Sequence, residues 1–256
     1  MIRIALFFIS SIALSACTTA YTVSVSPSSN EQTTRYFDGV PAVISELANS
    51  VVVVIPPAHA VEKRGRFGIV SVNRGTNPIN FGSENVAVEA ADGAHVHVYS
   101  YAELLDEEKS RQAWAAVAAA LAAAGNSMQA ANAGYTTSYG SYTGSTYGTY
   151  GGSPYSATTY GSGYVTTYDP AKAQAAQATA NQQNIANLKS VQMANALNER
   201  RLQEILKTTT ISPGDSHSGE IVFDVPQGTG ESKYVSVLVS AGVDRHVFNV
   251  RLSASR

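Results

Sequence analysis

Residues 67–78 read Phe67-Gly68-Ile69-Val70-Ser71-Val72-Asn73-Arg74-Gly75-Thr76-Asn77-Pro78, and their reading decides the fold class. Up to Val72 the larger apolar side chains recur at the two-residue period of a half-buried strand. Asn, Gly and Pro then crowd together, a cluster that ends a strand and turns the chain. The same grammar repeats outward. Upstream, Val51-Val52-Val53-Val54-Ile55 is a β-branched run closed by Pro56-Pro57. Downstream, residues 85–89 lead into Ala91-Asp92-Gly93 and then into residues 94–99, and Asp-Gly between alternating runs is a hairpin signal.

After residue 207 the pattern resumes. Segments 208–211, 220–226, 234–239 and 246–252 are separated by Pro213-Gly214, residues 227–230 and residues 241–244. About eight short strands, half on either side of an interruption, predict a mainly β chain with an α insertion. Neither half is expected to bury both of its faces alone. The expected architecture is one β-sandwich made of residues 36–100 and 208–256, interrupted by residues 101–207.

The insertion reads as two helices and a loop. Ser100 and Glu103 have the spacing of a capping box, and Glu103, Asp106, Glu107 and Glu108 precede Lys109 and Arg111, in the order that suits the helix dipole. The helix runs through the alanine-rich residues 113–124, with Trp114, Val117 and Leu121 on one face, and is expected to end or bend at Gly125-Asn126. Asp169-Pro170 restarts a helix as N-cap and first residue, and it continues to about residue 207. The two helices are expected to pair antiparallel.

Between them, residues 134–168 are low in complexity. Nine of the fourteen tyrosines lie here, Tyr135, Tyr139, Tyr142, Tyr147, Tyr150, Tyr155, Tyr160, Tyr164 and Tyr168, among Gly, Ser and Thr. The segment has no residues with which to build a core and is expected to be a disordered loop whose tyrosines are available for interaction.

At the N-terminus, Arg3 precedes an apolar run over residues 4–14 that is shorter than the ~20 residues a transmembrane helix needs. The pattern is that of a removable signal covering residues 1–16. Leu14-Ser15-Ala16-Cys17 looks like the lipobox of bacterial lipoproteins, and Cys17 is the sole cysteine of the chain. The resemblance implies cleavage before Cys17 and acylation of its thiol and amine. Thr18 in place of Asp implies sorting to the outer membrane, on its periplasmic or surface side. Residues 17–35, rich in Ser and Thr, are expected to be a tether.

Removing residues 1–16 takes away Arg3 alone, which leaves 16 basic against 19 acidic residues. That balance is no nucleic-acid footprint. A lone cysteine excludes an internal disulfide. Residues 112–168 carry no Asp, Glu, Lys or Arg.

Two motifs add a resemblance. Val72-Asn73-Arg74-Gly75-Thr76-Asn77-Pro78-Ile79-Asn80-Phe81 follows the form VxNxGxxPIxF. Pro213-Gly214-Asp215-Ser216-His217-Ser218-Gly219-Glu220-Ile221-Val222-Phe223-Asp224-Val225-Pro226 follows PGxxxxGxIxFxVP. These resemble the telomeric-repeat-binding-factor-like sandwiches, a small immunoglobulin-like family of bacterial lipoproteins and secreted antigens. The resemblance implies an immunoglobulin-like β-sandwich and brings no catalytic residues with it.

The chemistry of the chain is sparse. His95 and His97, two apart on one expected strand, could complete a metal site with His217 or His246, but no carboxylate cluster or second cysteine supports one. Neither a G-x-S-x-G elbow nor an S-x-x-K motif is present. Gly65-Arg66-Phe67-Gly68 is too short for a phosphate loop, and the carboxylates of residues 103–108 suit a solvated helix face. The expectation is a non-catalytic envelope lipoprotein with no cofactor beyond the lipid on Cys17. Its insertion would contact an envelope protein or a second copy. A glycan- or peptidoglycan-binding role for the loop tyrosines is the alternative, and a membrane or pore-like assembly through residues 113–124 ranks below it.

Overall fold

The computed structural model describes residues 19–37, 39–227 and 231–255; Leu14, Ser15, Ala16 and Cys17 lie outside them. The chain is mainly β with two long helices, and it divides into two compact units, Met1–Leu105 with Arg201–Arg256, and Asp106–Arg200. In chain order the strands are β1 (Tyr21–Pro27), β2 (Thr33–Phe37), β3 (Val40–Glu46), β4 (Ser50–Ile55), β5 (Arg64–Asn73), β6 (Ile79–Phe81), β7 (Val86–Ala90), β8 (His95–Val96) and β9 (Val98–Tyr99). Helix α1 (Tyr101–Asn132), strands β10 (Tyr135–Tyr150) and β11 (Ser153–Tyr168), and helix α2 (Pro170–Glu204) follow. The chain then returns as β12 (Thr209–Ile211), β13 (Ser216–Asp224), β14 (Ser232–Ala241) and β15 (Asp244–Ala254).

In the first unit one sheet has the order β1-β15-β14-β7-β8 and a second the order β2-β3-β4-β5-β13-β9, with β12 pairing β6 separately. Every paired strand here is antiparallel. The segments before and after the insertion interleave: β13 lies between β5 and β9, and β14 between β7 and β15. Both sheets feed one buried cluster that includes Val43, Val52, Phe67, Ile69 and Phe223 from one, and Val23, Val88, Val237, Phe248 and Leu252 from the other. Burying a side chain of this size contributes about 1.5–3 kcal/mol.

The motif residues have visible physical jobs. Asn73 is buried, and its Nδ2 donates to the carbonyls of Asn77 (2.8 Å) and Ile211 (3.0 Å) while its Oδ1 accepts from the Gly75 amide (3.0 Å). One side chain thus closes the turn after β5 and fastens β12 to it. Gly214 sits at φ +84°, where a side chain would be strained. Gly219 lets the Leu206 backbone approach: a Cβ there would lie 2.5 Å from Leu206 Cα, on the path that lets Leu206 N–H reach Glu220 C=O at 2.9 Å.

Several expectations are corrected. Residues 17–35 are not a tether throughout, because β1 pairs with β15 along its length and buries Tyr21, Val23 and Val25 in the shared core. Among the described residues thirteen strands flank the insertion, nine before it and four after, where about eight, half on either side, are expected. Residues 94–99 are not one strand: β8 joins one sheet and β9 the other, so the chain changes sheets at His97. Helix α1 does not end at Gly125 but continues to Asn132, a single interior glycine costing only about 1 kcal/mol.

The caps match expectation. The Glu103 amide donates to Ser100 Oγ at 3.2 Å, and the Ser100 amide donates to Glu103 Oε2 at 2.7 Å. The Ser100 amide and the Ser100 hydroxyl, both donating to Glu103 Oε2, hold the Glu103 carboxyl below its ordinary range. Asp169 Oδ1 accepts from the amides of Ala171 (2.9 Å) and Lys172 (3.2 Å). Leu104 at the start of α1 and Ile205 just beyond α2 pack on Val222 of β13.

The largest correction concerns residues 134–168. They are an ordered two-stranded hairpin, with β10 and β11 antiparallel in continuous register from Tyr135↔Tyr168 to Tyr150↔Ser153. Gly151 and Gly152, at φ +61° and +85°, make the two-residue turn whose twist suits such a hairpin. Tyrosine and threonine are strand formers, and that preference overrides the absence of a core.

Candidate functional site

The hairpin is two-faced because its register fixes which side chains share a side. Counting alternate residues from Tyr135↔Tyr168, one face carries Tyr135, Tyr139, Tyr147, Tyr160, Tyr164 and Tyr168 among Thr and Ser, with no glycine. The other carries Tyr142, Tyr150 and Tyr155 with all five strand glycines, Gly140, Gly144, Gly148, Gly161 and Gly163. On the tyrosine face Tyr135 meets Tyr168 with ring centroids 4.9 Å apart, and Tyr139 meets Tyr164 at 5.2 Å. Tilted or edge-to-face pairs of this kind contribute about 0.5–1.5 kcal/mol beyond burial. On the glycine face the Tyr142 ring lies over Gly161 and the Tyr155 ring over Gly148, each filling the space a Cβ would take.

All nine of these tyrosines are 50–86 % exposed. They line a narrow ribbon rather than converge on a pocket. Periodicity could have found it: the glycines of β10 recur every four residues, those of β11 differ by two, and Gly151-Gly152 sits at the centre.

The helices of the same unit also present apolar surface. Positions Ala115, Ala119, Ala123 and Asn126 of α1 are partly covered and Ala130 is buried, as is Ala180 of α2. Asn126 Nδ2 donates to Asn184 Oδ1 at 2.8 Å, and Arg111 donates to Asn195 Oδ1 at 3.3 Å. Trp114, Val117 and Leu121 do share a face, but it is the alanine face that is covered. Trp114 is 74 % and Leu121 69 % exposed, with Met128 continuing the seven-residue repeat. On α2, Ile185, Leu188, Met193 and Leu197 are exposed.

Glu108 is the buried carboxylate of this unit. It accepts two hydrogen bonds from the Arg111 guanidinium and one from Gln112 at 2.9 Å, and the Arg111 bonds hold its carboxyl below the usual range. Asp106 lies 3.4 Å from Lys109. Glu103, Asp106 and Glu108 are thus engaged in a cap and in ion pairs.

The histidines do not converge. His95 Nδ1 is 3.7 Å from Glu89, His97 Nε2 is 3.4 Å from Glu103 with its ring edge-on to Tyr99, and His217 Nε2 lies 2.8 Å from the Lys207 carbonyl. His246 is buried in the core. Among the described residues no group of three His, Cys, Asp or Glu is placed to hold a metal ion.

A buried polar network surrounds His246, with no local motif to announce it. Ser50 Oγ is 2.7 Å from Asp244 Oδ2 and 2.9 Å from His246 Nε2, and His246 Nδ1 is 2.9 Å from Ser45 Oγ. Asp244 also accepts from the Asn49 amide at 2.8 Å. A hydroxyl donates once, so Ser50 giving its proton to the carboxylate makes His246 Nε2 the donor to Ser50. Nδ1 then accepts from Ser45, and every group is satisfied with a neutral ring. Burial pushes the His246 pKa down, against the pull of Asp244. Burial also pushes Asp244 up, but bonds from Ser50 and Asn49 outweigh it and its pKa is lowered. The residue types are those of a hydrolase triad, but here the serine sits between His and Asp, and Ser50 and His246 have at most 1 % of their surface exposed. The arrangement staples β3, β4 and β15 together.

A concavity of about 710 Å³ in the first unit is lined by His59, Lys63, Arg66, Arg201, Glu204 and Glu220 among others. Arg66 already answers Glu220 at 3.4 Å. Neither a protein-family model, nor a curated protein, nor a solved structure matches this chain. Among the described residues no helix is long and apolar enough to cross a membrane.

Proposed function

We propose that the protein is a non-catalytic lipoprotein of the bacterial cell envelope, held at the outer membrane by an acylated Cys17, with the Asp106–Arg200 unit as its contact module. In this reading the two core-sharing sheets are an immunoglobulin-like sandwich and α1 and α2 an antiparallel helical hairpin. The observation that carries the proposal is the hairpin β10–β11: sixteen residues per strand, uncharged, with all nine tyrosines at least half exposed. A two-stranded ribbon is marginally stable alone in water, so such a surface is suited to being covered.

Two variants test the two halves of the proposal. Cys17→Ala is expected to move the protein from the membrane to the soluble fraction; unchanged partition contradicts the anchor. Joining α1 to α2 by a short Gly-Ser link in place of residues 134–168 is expected to abolish recovery of partners by chemical cross-linking in the envelope. Recovery at the wild-type level contradicts the contact module. A second reading, glycan recognition, is favoured by the six tyrosines on one face, since aromatic rings can stack on sugars. Peptidoglycan sedimentation with Tyr139→Ala/Tyr164→Ala separates it: loss of co-sedimentation supports glycan binding.

A further inference from the structure

The strand edges and helix surfaces of the Asp106–Arg200 unit are open and differ in kind from one another. In an antiparallel pair, alternate residues exchange hydrogen bonds and the others turn their N–H and C=O outward. The Tyr150–Ser153 pair closes the turn and is an exchanging pair. Thr149↔Pro154, Ser145↔Thr158 and Thr143↔Tyr160 therefore direct their backbone groups to the outer edges. Pro154 falls where no N–H is needed within the hairpin, consistent with this phase. Both outer edges lack lysines, inward charges and bulges, and Pro154, next to the turn on β11, is the one edge-protecting residue they carry. They are of equal length, sixteen residues each, and such a row is a template for pairing with another strand edge.

The helices show the same one-to-two complementarity. The Asn126–Asn184 and Arg111–Asn195 bonds set the relative heights of α1 and α2. By that correspondence Trp114 stands at the height of Met193 and Leu197, Leu121 at that of Ile185 and Leu188, and Asp106 at that of Arg200. All these apolar side chains are exposed. Helix α1 carries four acidic and two basic residues, and α2 four basic and two acidic.

From these features we propose that the partner of this unit is a second copy of the chain. Strand β10 of one copy pairs antiparallel with β11 of the next, α1 lies against the neighbour's α2, and the repeated contact closes into a ring whose hairpins form an uncharged β-barrel. The contact is heterologous, so closure rather than two-fold pairing uses every edge, and a closed barrel leaves no free strand edge. The inference rests on the contact-module reading above and names its occupant.

Sedimentation of the mature lipidated chain in detergent tests it. The expected result is one discrete species of several protomers. Thr143→Pro, which removes an outward N–H without touching the hairpin's own bonds, is expected to weaken association by about tenfold or more. Arg200→Glu, remote from the strands, is expected to weaken it too, and Asp106→Lys together with Arg200→Glu to restore it. A wild-type chain that stays monomeric, or a Thr143→Pro chain that assembles as wild type with its hairpin amides still protected, overturns the proposal. If the monomeric wild type still loses cross-linked envelope partners on hairpin deletion, the contact module stands and the second copy does not.

Discussion

Replacing Asn73 with alanine probes a buried side chain that makes three hydrogen bonds in the first unit. Asn73 is 1 % exposed and makes three bonds, to the Asn77 and Ile211 carbonyls and from the Gly75 amide. Each is worth about 1 kcal/mol net, and an acceptor left buried adds to the loss. Ile211 is itself 2 % exposed, so water reaches its carbonyl poorly. The expected cost of Asn73→Ala is therefore about 3 kcal/mol, or about 6–12 °C in the Tm of a unit this size. Urea unfolding followed by tryptophan-independent circular dichroism in the β region measures it. Asn77→Ala is the control: Asn77 contributes its backbone carbonyl, and its loss is expected within about 0.5 kcal/mol. If Asn73→Ala matches that control, the claim that one side chain ties the β5 turn to β12 is wrong.

Further outcomes follow from other named contacts. Gly219→Ala forces a Cβ against the Leu206 backbone and is expected to cost about 2–4 kcal/mol by overpacking and loss of the Leu206–Glu220 bond; a neutral urea midpoint would contradict that approach. His246 has a lowered folded pKa, so the unfolded chain binds its proton first and stability falls as pH drops below 6.5 toward the folded value. Asp244 adds a second loss as pH falls below 3.8 through its own lowered value. His246→Gln is expected to flatten the midpoint between pH 7.5 and pH 5, and identical profiles for the two chains would remove His246 from the account. Ser100→Ala removes the N-cap of α1 and is expected to cost about 1 kcal/mol locally, read as faster amide exchange in the first turn of α1.

What the sequence disclosed was local. Asn73, Gly75, Pro78, Ser100, Glu103, Asp169 and Pro170 announce turns and caps because their effects act within a few residues. Strand β1 was hidden because Tyr21-Thr22-Val23-Ser24-Val25 looks like a polar spacer until β15, more than two hundred residues later, covers its alternate side chains. The Ser45–Ser50–Asp244–His246 network was hidden for the same reason, its members being about two hundred residues apart. The hairpin is hidden for a different reason. Composition says that residues 134–168 cannot build a core, which is true, but strand pairing needs only period, turn and edge, and all three were in the placement of Gly and Tyr. Cys17 belongs to a signal pattern that the described residues do not touch.

The most direct measurement is residue-resolved amide exchange across residues 135–168 of the full mature chain in detergent. The account predicts protection at Thr136, Ser138, Tyr142 and Thr146, whose amides bond within the hairpin, and equal protection at Ser141, Thr143 and Ser145, whose amides are covered by the next copy. Exchange of the whole segment at the rate of an unstructured peptide would contradict the hairpin itself and the function built on it.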